Sequence, residues 1–246
     1  MFKKLNKGFE NRKSSFKKQL WMAWIFFPFT ILALAFDSVY FLENYFDGRI
    51  ITNVLVLIYY LLFFRFADGD LRKLFFIMIF LSYLGEIIFC KWFEMYAYRA
   101  NDIPFYIPFG HAIVYGSGYV FSKTQWAIQH TKSLQKFFII GFVSLFLGLY
   151  FFLNDLFSLF LGALFFIIVR RKRGQNLYFF IAICVIYIEL LGTYFQCWTW
   201  IPLFWNTFPT VNPPLGAVFI YAGGDVLLAK IANIWSRKKN RQLNLE

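Results

Sequence analysis

Charged residues are scarce in this sequence. Only 15% of the 246 residues are Asp, Glu, Lys or Arg, compared with about a quarter in soluble domains, whereas 60% are apolar and 24% are aromatic. The mean hydropathy is +0.56. The apolar runs are long, closely spaced and separated by short charged clusters, which is the pattern of a polytopic helical membrane protein. This composition excludes an ordinary water-soluble domain.

Histidine and cysteine are also scarce, with two and three residues. They form no C-x-x-C, H-x-x-x-H or H-x-x-E-H spacing, so we expect no metal and no cofactor. Phosphate-binding and dinucleotide-binding glycine motifs are absent as well. Cys184 lies mid-helix and is expected to pack there. Cys90 and Cys197 fall near the same membrane surface, where an oxidising compartment would permit a disulfide.

The net charge of +12 is distributed between the apolar runs instead of along one stripe. This argues against a nucleic-acid partner and favours a positive-inside topology signal. No cleaved signal peptide is recognisable. With both termini cytoplasmic, all of the 25 Lys and Arg residues except Arg49, Lys91 and Arg99 fall inside. We therefore expect a multi-pass protein of a bacterial-type inner membrane, with membrane lipids as its partners.

The apolar runs predict an all-α fold of about eight transmembrane helices. The spans are expected at residues 20–42, 50–64, 74–93, 105–121, 137–153, 156–169, 177–195 and 214–234. Residues 1–19 and 235–246 are predicted to be basic cytoplasmic tails, and residues 122–136 a cytoplasmic linker. The helices then form two groups of four, residues 20–121 and 137–234.

An internal repeat supports this grouping. A shift of the sequence by 106 positions aligns, in both halves, a Trp, a P-x-G sixteen positions later and a Y-x-x-G-x-V. Self-similarity at a fixed offset is typical of a duplicated structural unit. Because four spans per copy is an even number, both copies should have the same orientation in the membrane. We expect a shared site between the two copies. The shift pairs Leu84 with Leu190, Phe89 with Phe195, Trp92 with Trp198, Pro108 with Pro214, Gly110 with Gly216, Tyr115 with Tyr221, Gly118 with Gly224 and Val120 with Val226.

Ionisable residues inside the spans are costly and are treated as functional candidates. Glu86 and His111 both fall about 10 Å below the outer surface on neighbouring antiparallel helices. If they meet, they form a plausible general acid–base pair. The same contact would also be expected without catalysis, if the two buried polar side chains only satisfied each other's hydrogen bonds and fixed the helix register.

The second repeat differs from the first at these positions. The 106-residue shift places Gly192 opposite Glu86 and Ala217 opposite His111. The polar residues of the second repeat, Glu189 and Asp225, are predicted to lie deeper. If the protein is an enzyme, we expect Asp225 or Glu189 to act as the charge stabiliser in catalysis.

Two aromatic segments, 94–104 and 196–213, are predicted as outer loops. Such residues usually belong to the interfacial aromatic belt, but these carry added polar groups and could roof a cavity that admits an apolar chain. We expect the amide of Asn212 to lie near the start of the last helix. Gly116, Gly118, Gly223 and Gly224 are expected to allow close helix packing. The candidate substrate-binding residues are Trp92, Glu94, Tyr96, Tyr98, Arg99, Trp198, Trp200 and Asn212.

A set of aromatic and proline motifs surrounds the two predicted outer loops: Trp92-Phe93-Glu94, Glu86 with Tyr96-Ala97-Tyr98, Pro104 and Pro108, and Trp198-Thr199-Trp200 with Pro209 and Asn212. Through these motifs about a third of the chain resembles carotenoid-processing integral membrane proteins, namely the lycopene cyclase domain proteins and the carotenoid hydratase-like family. The resemblance implies an isoprenoid substrate. The acidic pair that follows the Pro in the cyclase domain is replaced by Gly110-His111 and Gly216-Ala217, so acid-catalysed cyclisation is not implied.

Three functions remain open on the sequence. The leading hypothesis is an intramembrane enzyme that acts on a lipid or isoprenoid substrate in an outward-facing cavity between the repeats. A non-catalytic subunit or scaffold, in a complex with other membrane proteins, is the main alternative, and a small transporter is the third. An enzyme requires a lipid-sized cavity that reaches Glu86 and His111, a scaffold requires these residues to be packed, and a transporter requires a path to both faces.

Overall fold

The computed structural model describes residues 2–171 and 175–243, with side chains from 15 to 170 and from 176 to 235. The fold is all-α apart from four very short strands. Within these described residues, six helical segments are long and apolar enough to cross a membrane: Ser15–Phe36, Arg49–Phe66, Gly69–Trp92, Thr131–Leu153, Asn176–Tyr194 and Leu215–Trp235.

The helices are α1 Phe2–Phe36, α2 Val39–Asn44, α3 Arg49–Phe66, α4 Gly69–Glu86, α5 Ile107–Ser122, α6 Gln125–Gln129, α7 Thr131–Leu153, α8 Leu156–Arg171, α9 Gln175–Tyr194 and α10 Val218–Leu243. A π-helical turn, Ile87–Trp92, continues α4, and a 3-10 turn, Leu215–Ala217, precedes α10. The strands are β1 Tyr96–Tyr98, β2 Trp198–Trp200, β3 Leu203–Phe204 and β4 Phe208–Pro209.

Each predicted span overlaps one of the longer helices, but the predicted boundaries are not all correct. The first span was expected to reach Leu42, whereas α1 ends at Phe36. The Ser38 side chain accepts a hydrogen bond from the backbone N–H of Phe41 and so caps the separate helix α2. Helices α5 and α8 have 16 residues each and are shorter than the six spanning segments.

Helix α5 lies at the centre of the bundle and packs against α1, α4 and α9. Glycines on α5 allow the neighbouring helices to approach it closely. A Cβ added to Gly116 would lie 2.3 Å from the ring of Phe75, and one added to Gly118 would lie 2.6 Å from Ile181. The predicted packing role is confirmed for these two glycines. It is wrong for Gly223 and Gly224, where an added Cβ meets no atom within 4 Å.

The two aromatic segments predicted as loops pair with each other. Strands β1 and β2 are antiparallel, with Tyr96 opposite Trp200, Ala97 opposite Thr199 and Tyr98 opposite Trp198. Successive side chains on a strand point to opposite faces, so the aromatic-small-aromatic pattern places all four large rings on one face. β3 and β4, which follow β2 in the chain, form a separate antiparallel hairpin. The face that carries the four rings covers the candidate site.

Candidate functional site

A cavity of about 600 Å³ lies under the β1–β2 ladder, with walls from α1, α3, α4, α5, α8, α9 and α10. This volume lies within the range of roughly 300–1,000 Å³ typical of small-molecule sites. Most of the lining is apolar or aromatic. Five of the lining residues are also exposed, so the cavity reaches the surface beside them: Leu84, Phe93, Phe160, Trp205 and Leu227.

Glu86 is the last residue of α4 and lines the cavity with only 3% of its surface exposed. The hydroxyl groups of Tyr96 and Tyr98 each donate a hydrogen bond of 2.8 Å to its Oε2 atom. Nε2 of His111, on α5, lies 2.9 Å from its Oε1 atom. The predicted contact between Glu86 and His111 is therefore present. The two tyrosines reach the same oxygen because they stand two residues apart on β1.

Glu189, on α9, is held in a matching arrangement and is 4% exposed. The indole Nε1 atoms of Trp198 and Trp200 donate to its Oε2 at 2.9 Å and 3.1 Å, and the hydroxyl of Tyr221, on α10, donates to its Oε1 at 3.0 Å. Each carboxylate thus has two partners from one strand and one from the helix that follows that strand. The prediction that Glu189 lies deeper than Glu86 is wrong, because both carboxylates contact one face of a single ladder.

Gly192 is not the counterpart of Glu86, although the 106-residue shift aligns them. A Cβ at Gly192 would lie 2.0 Å from the indole ring of Trp198. Glycine at this position instead makes room for the ring that holds Glu189. By its contacts, Glu189 is the counterpart of Glu86.

The donors around the two carboxylates differ in chemistry. An imidazole nitrogen can either give or accept a proton, so His111 can exchange a proton with Glu86. An indole N–H only donates, so neither Trp198 nor Trp200 can take a proton from Glu189. Glu86 therefore contacts a group that can exchange a proton with it, whereas the three side chains that contact Glu189 donate hydrogen bonds to it.

No family model, no curated protein and no solved structure matches the chain.

Asp225 lies on α10, four residues after Tyr221, and lines the same cavity with 4% of its surface exposed. One helical turn places it about 6 Å further from the ladder on the same helix face. In the part of the chain that the structure describes, its Oδ2 atom is buried without a hydrogen-bond partner.

The other candidates divide into two groups. Tyr96, Tyr98, Trp198 and Trp200 line the cavity, whereas Trp92, Glu94, Arg99 and Asn212 do not. Trp92 is 78% exposed, and Glu94 is exposed at the turn before β1. The side-chain oxygen of Asn212 accepts a hydrogen bond of 3.1 Å from the backbone N–H of Trp200. Asn212 therefore holds β2 and does not cap the helix start as predicted.

Arg99 lies in a cluster of ion pairs beside the ladder. Its Nη2 atom is 2.8 Å from both Asp37 Oδ1 and Asp47 Oδ1, and the hydroxyl of Tyr106 donates to Asp37 Oδ2 at 2.8 Å. Hydrogen bonds from Arg49 and Arg99 lower the pKa of Asp47, while burial raises the pKa of Asp37. The cluster joins the end of α1, the loop before α3 and the segment between β1 and α5. It thus fixes the position of β1 over the cavity.

Tyr221 is the site residue that the sequence interpretation missed. The repeat motif Y-x-x-G-x-V contains it, and it stands one helical turn before Asp225 on the same face. This spacing could have identified Tyr221 as a site residue.

The three cysteines are buried free thiols, which confirms the packing position predicted for Cys184. Among the described residues, no three His, Cys, Asp or Glu side chains come together as a metal site.

Proposed function

We propose that this protein is an intramembrane enzyme that transfers a proton to or from an isoprenoid-like lipid held in the cavity. The observation that carries this proposal is a pair of buried carboxylates, Glu86 and Glu189, at the ladder end of a cavity whose lining is mostly apolar. Each carboxylate is held by three side-chain hydrogen-bond partners. Fixed donors of this kind position a charged group in advance of a reaction.

The empty space beside the carboxylates favours an enzyme over a scaffold. Burying a carboxylate is costly, and two of them would be an expensive way to fix the register of packed helices. A scaffold would also be expected to fill the volume beside them with side chains. The cavity of about 600 Å³ is instead suited to an apolar ligand.

The two carboxylates take different roles in the proposed reaction. Glu86 and His111 move the proton, because both groups can give and accept one. Glu189 remains negatively charged and stabilises positive charge that develops on a substrate carbon. The ring faces of Trp198 and Trp200 add to this stabilisation, since aromatic faces attract cations.

An isoprenoid is the proposed substrate class for two reasons. The lining is rich in aromatic and branched apolar side chains, which suit a branched hydrocarbon. The resemblance of the Trp92-Phe93-Glu94 and Tyr96-Ala97-Tyr98 motifs to carotenoid-processing membrane proteins points to the same class. Entry from the bilayer would take place where cavity-lining residues are exposed, at Leu84, Phe93, Phe160, Trp205 and Leu227.

We also propose the finer architecture: eight membrane helices in two like-oriented repeats, with both termini cytoplasmic in an inner membrane and the cavity facing outward. The centre of the strand ladder supports the repeat. Ala97 and Thr199, the middle residues of β1 and β2, are directly opposite each other. Equivalent residues of two copies meet in this way where a twofold axis passes between antiparallel strands.

Hydrogen–deuterium exchange into the substrate tests the proposed activity. The protein would be reconstituted in vesicles with an isoprenoid extract of its native membrane, in heavy water, and the lipids would be analysed by mass spectrometry. We expect the wild type to transfer deuterium to carbon and Glu86→Gln to lose this activity by at least about 100-fold while staying folded. Glu43→Gln, which changes an exposed carboxylate, is the matched control.

Two outcomes would count against the enzyme. Deuterium transfer that persists in both Glu86→Gln and His111→Asn would remove the proposed proton path. The absence of transfer by the wild type, together with a membrane protein co-purifying in fixed ratio, would favour the scaffold.

A further inference from the structure

The inner part of the cavity contains a polar group that the proton-transfer chemistry does not use. Asp225 is almost fully buried and lines the cavity, and its Oδ2 atom has no hydrogen-bond partner among the described residues. A buried carboxylate oxygen without a donor is costly, and the cost disappears when a ligand supplies that donor. The side chain therefore points to a ligand group that donates a hydrogen bond.

The space for such a group is kept open by glycines on the same helix. Gly223 and Gly224 immediately precede Asp225, and both line the cavity. A Cβ added to either residue would meet no other part of the protein within 4 Å. The volume beside Asp225 is thus free on this side, and larger side chains at these two positions would reduce it.

The charges around the cavity limit the ligand further. The ionisable lining within the described chain comprises Glu86, Glu189, Asp225, His111 and tyrosines, and none of the described lining residues is Lys or Arg. Phosphate and carboxylate groups are normally bound by Arg, Lys or several backbone N–H groups. The described lining offers an anionic lipid no such cation. The cavity therefore disfavours phospholipids and prenyl phosphates.

We propose that Asp225 binds the hydroxyl group of a neutral lipid alcohol, which fixes how the substrate lies in the cavity. This inference rests on the proposed function, because it names the substrate class of the same site. An uncharged alcohol is favoured over an amine, since the surface opening is lined by apolar residues, and a charged group passes from the bilayer at a much greater cost.

The position of Asp225 then determines which carbon reacts. Asp225 lies one helical turn, about 6 Å, from Tyr221, which holds Glu189. The hydroxyl end of the lipid occupies the inner end of the cavity, and the reacting carbon lies near the ladder between Glu86 and Glu189. The site of proton transfer is therefore about 6 Å or more from the hydroxyl group.

Binding of defined lipids by the full-length protein in detergent tests this assignment. The probes are geranylgeraniol, its methyl ether, its monophosphate and the corresponding amine, and binding is followed by quenching of tryptophan fluorescence. We expect the alcohol to bind at least about tenfold more tightly than the ether, and more tightly than the phosphate and the amine. Asp225→Leu should abolish the preference for alcohol over ether, and Asp225→Asn, which keeps an acceptor, should retain part of it.

Several results would overturn the assignment. They are failure of the alcohol to bind, equal binding of alcohol and ether by the wild type, tighter binding of the phosphate or amine, and an unchanged preference in a folded Asp225→Leu variant. Glu43→Gln, which changes an exposed carboxylate outside the cavity lining, should leave alcohol binding intact. The binding assay and the deuterium assay separate this assignment from the proposed reaction. Alcohol selectivity without deuterium transfer would refute the reaction alone, and deuterium transfer without alcohol selectivity would refute the role of Asp225 alone.

Discussion

His111 and Tyr221 stack on each other across the two halves of the protein. Their ring centroids are 5.1 Å apart and their planes are inclined by 16°. His111 contacts Glu86, and Tyr221 donates to Glu189. The two carboxylates are therefore joined through one ring contact, so displacement of either ring should affect both halves of the site.

Removal of the Tyr221 hydroxyl tests this connection. Tyr221→Phe keeps the ring stacked on His111 but takes one donor from Glu189. We expect the free energy of unfolding to fall by about 1–3 kcal/mol, because a buried carboxylate oxygen loses its partner. The rate of proton transfer to the substrate should also fall. Thermal unfolding and deuterium incorporation measure the two effects.

The matched control for this change is Tyr194→Phe, since Tyr194 is exposed. It should alter neither stability nor activity. Tyr221→Leu removes the ring as well and should be more damaging than Tyr221→Phe. Equal stability and equal activity of Tyr221→Phe and Tyr221→Leu would mean that the stacked ring contributes nothing.

A cross-link between β1 and β2 tests whether the two aromatic segments meet. Ala97 and Thr199 are opposite each other, and both are exposed. Directly opposite residues in an antiparallel pair have Cβ atoms about 4.5–5.5 Å apart, close to the separation that a disulfide requires. Ala97→Cys combined with Thr199→Cys should form a disulfide on mild oxidation, detected by mass spectrometry of the linked peptides.

Ala97→Cys combined with Thr207→Cys is the control, because Thr207 is also exposed but lies in the β3–β4 hairpin. The control pair should link much less. Linking of both pairs to the same extent, or of neither, would contradict the ladder.

The helices were predictable because a bilayer imposes a length on each apolar run, and the run lengths are visible in the sequence. The meeting of Glu86 with His111 followed from counting helical rise on two neighbouring helices. The ladder was not predictable by the same means. Strands of three residues have almost no local signal, and they exist here because two segments about 100 positions apart pair with each other.

The match between Glu86 and Glu189 was hidden by a change in spacing. Glu86 stands ten residues before the first aromatic residue of its strand, Tyr96, whereas Glu189 stands nine before Trp198. The ungapped shift of 106 positions pairs Trp92 with Trp198, and it therefore places Glu86 opposite Gly192 and not opposite Glu189. The donors also differ, since Tyr and His around one carboxylate are replaced by Trp and Tyr around the other.

Acid sensitivity should reveal the cluster around Arg99. Hydrogen bonds from Arg49 and Arg99 lower the pKa of Asp47, so its ionised form stabilises the fold. This stabilisation is complete above the ordinary Asp pKa of about 4 and is lost as the pH falls through the lower pKa of the folded state. Asp47→Asn should therefore destabilise the protein at neutral pH and lose less stability than the wild type below about pH 4.

Thermal unfolding in detergent between neutral and acidic pH measures this difference. Asp70→Asn is the control, because the Asp70 side chain is 81% exposed and makes only a long contact with Lys73. It should follow the wild-type curve. If the stability of Asp47→Asn changed with pH in parallel with that of the wild type, Asp47 would not stabilise the fold through its charge.

Gly192→Ala should damage the site through a single added methyl group. The new Cβ would lie 2.0 Å from the indole of Trp198, whose Nε1 donates to Glu189 at 2.9 Å. The indole must therefore move, and Glu189 loses a donor. We expect a loss of about 1–3 kcal/mol in the free energy of unfolding from overpacking, together with loss of activity.

The control and a second variant separate the two effects of this change. Gly141→Ala adds a methyl group in α7 where no atom lies within 4 Å, and should leave the protein as stable or slightly more so. Adding Trp198→Phe to Gly192→Ala gives a smaller ring, which should recover part of the stability. Activity should not recover, because Phe cannot donate to Glu189. Full activity in Gly192→Ala itself would show that Trp198 is not needed to hold the carboxylate.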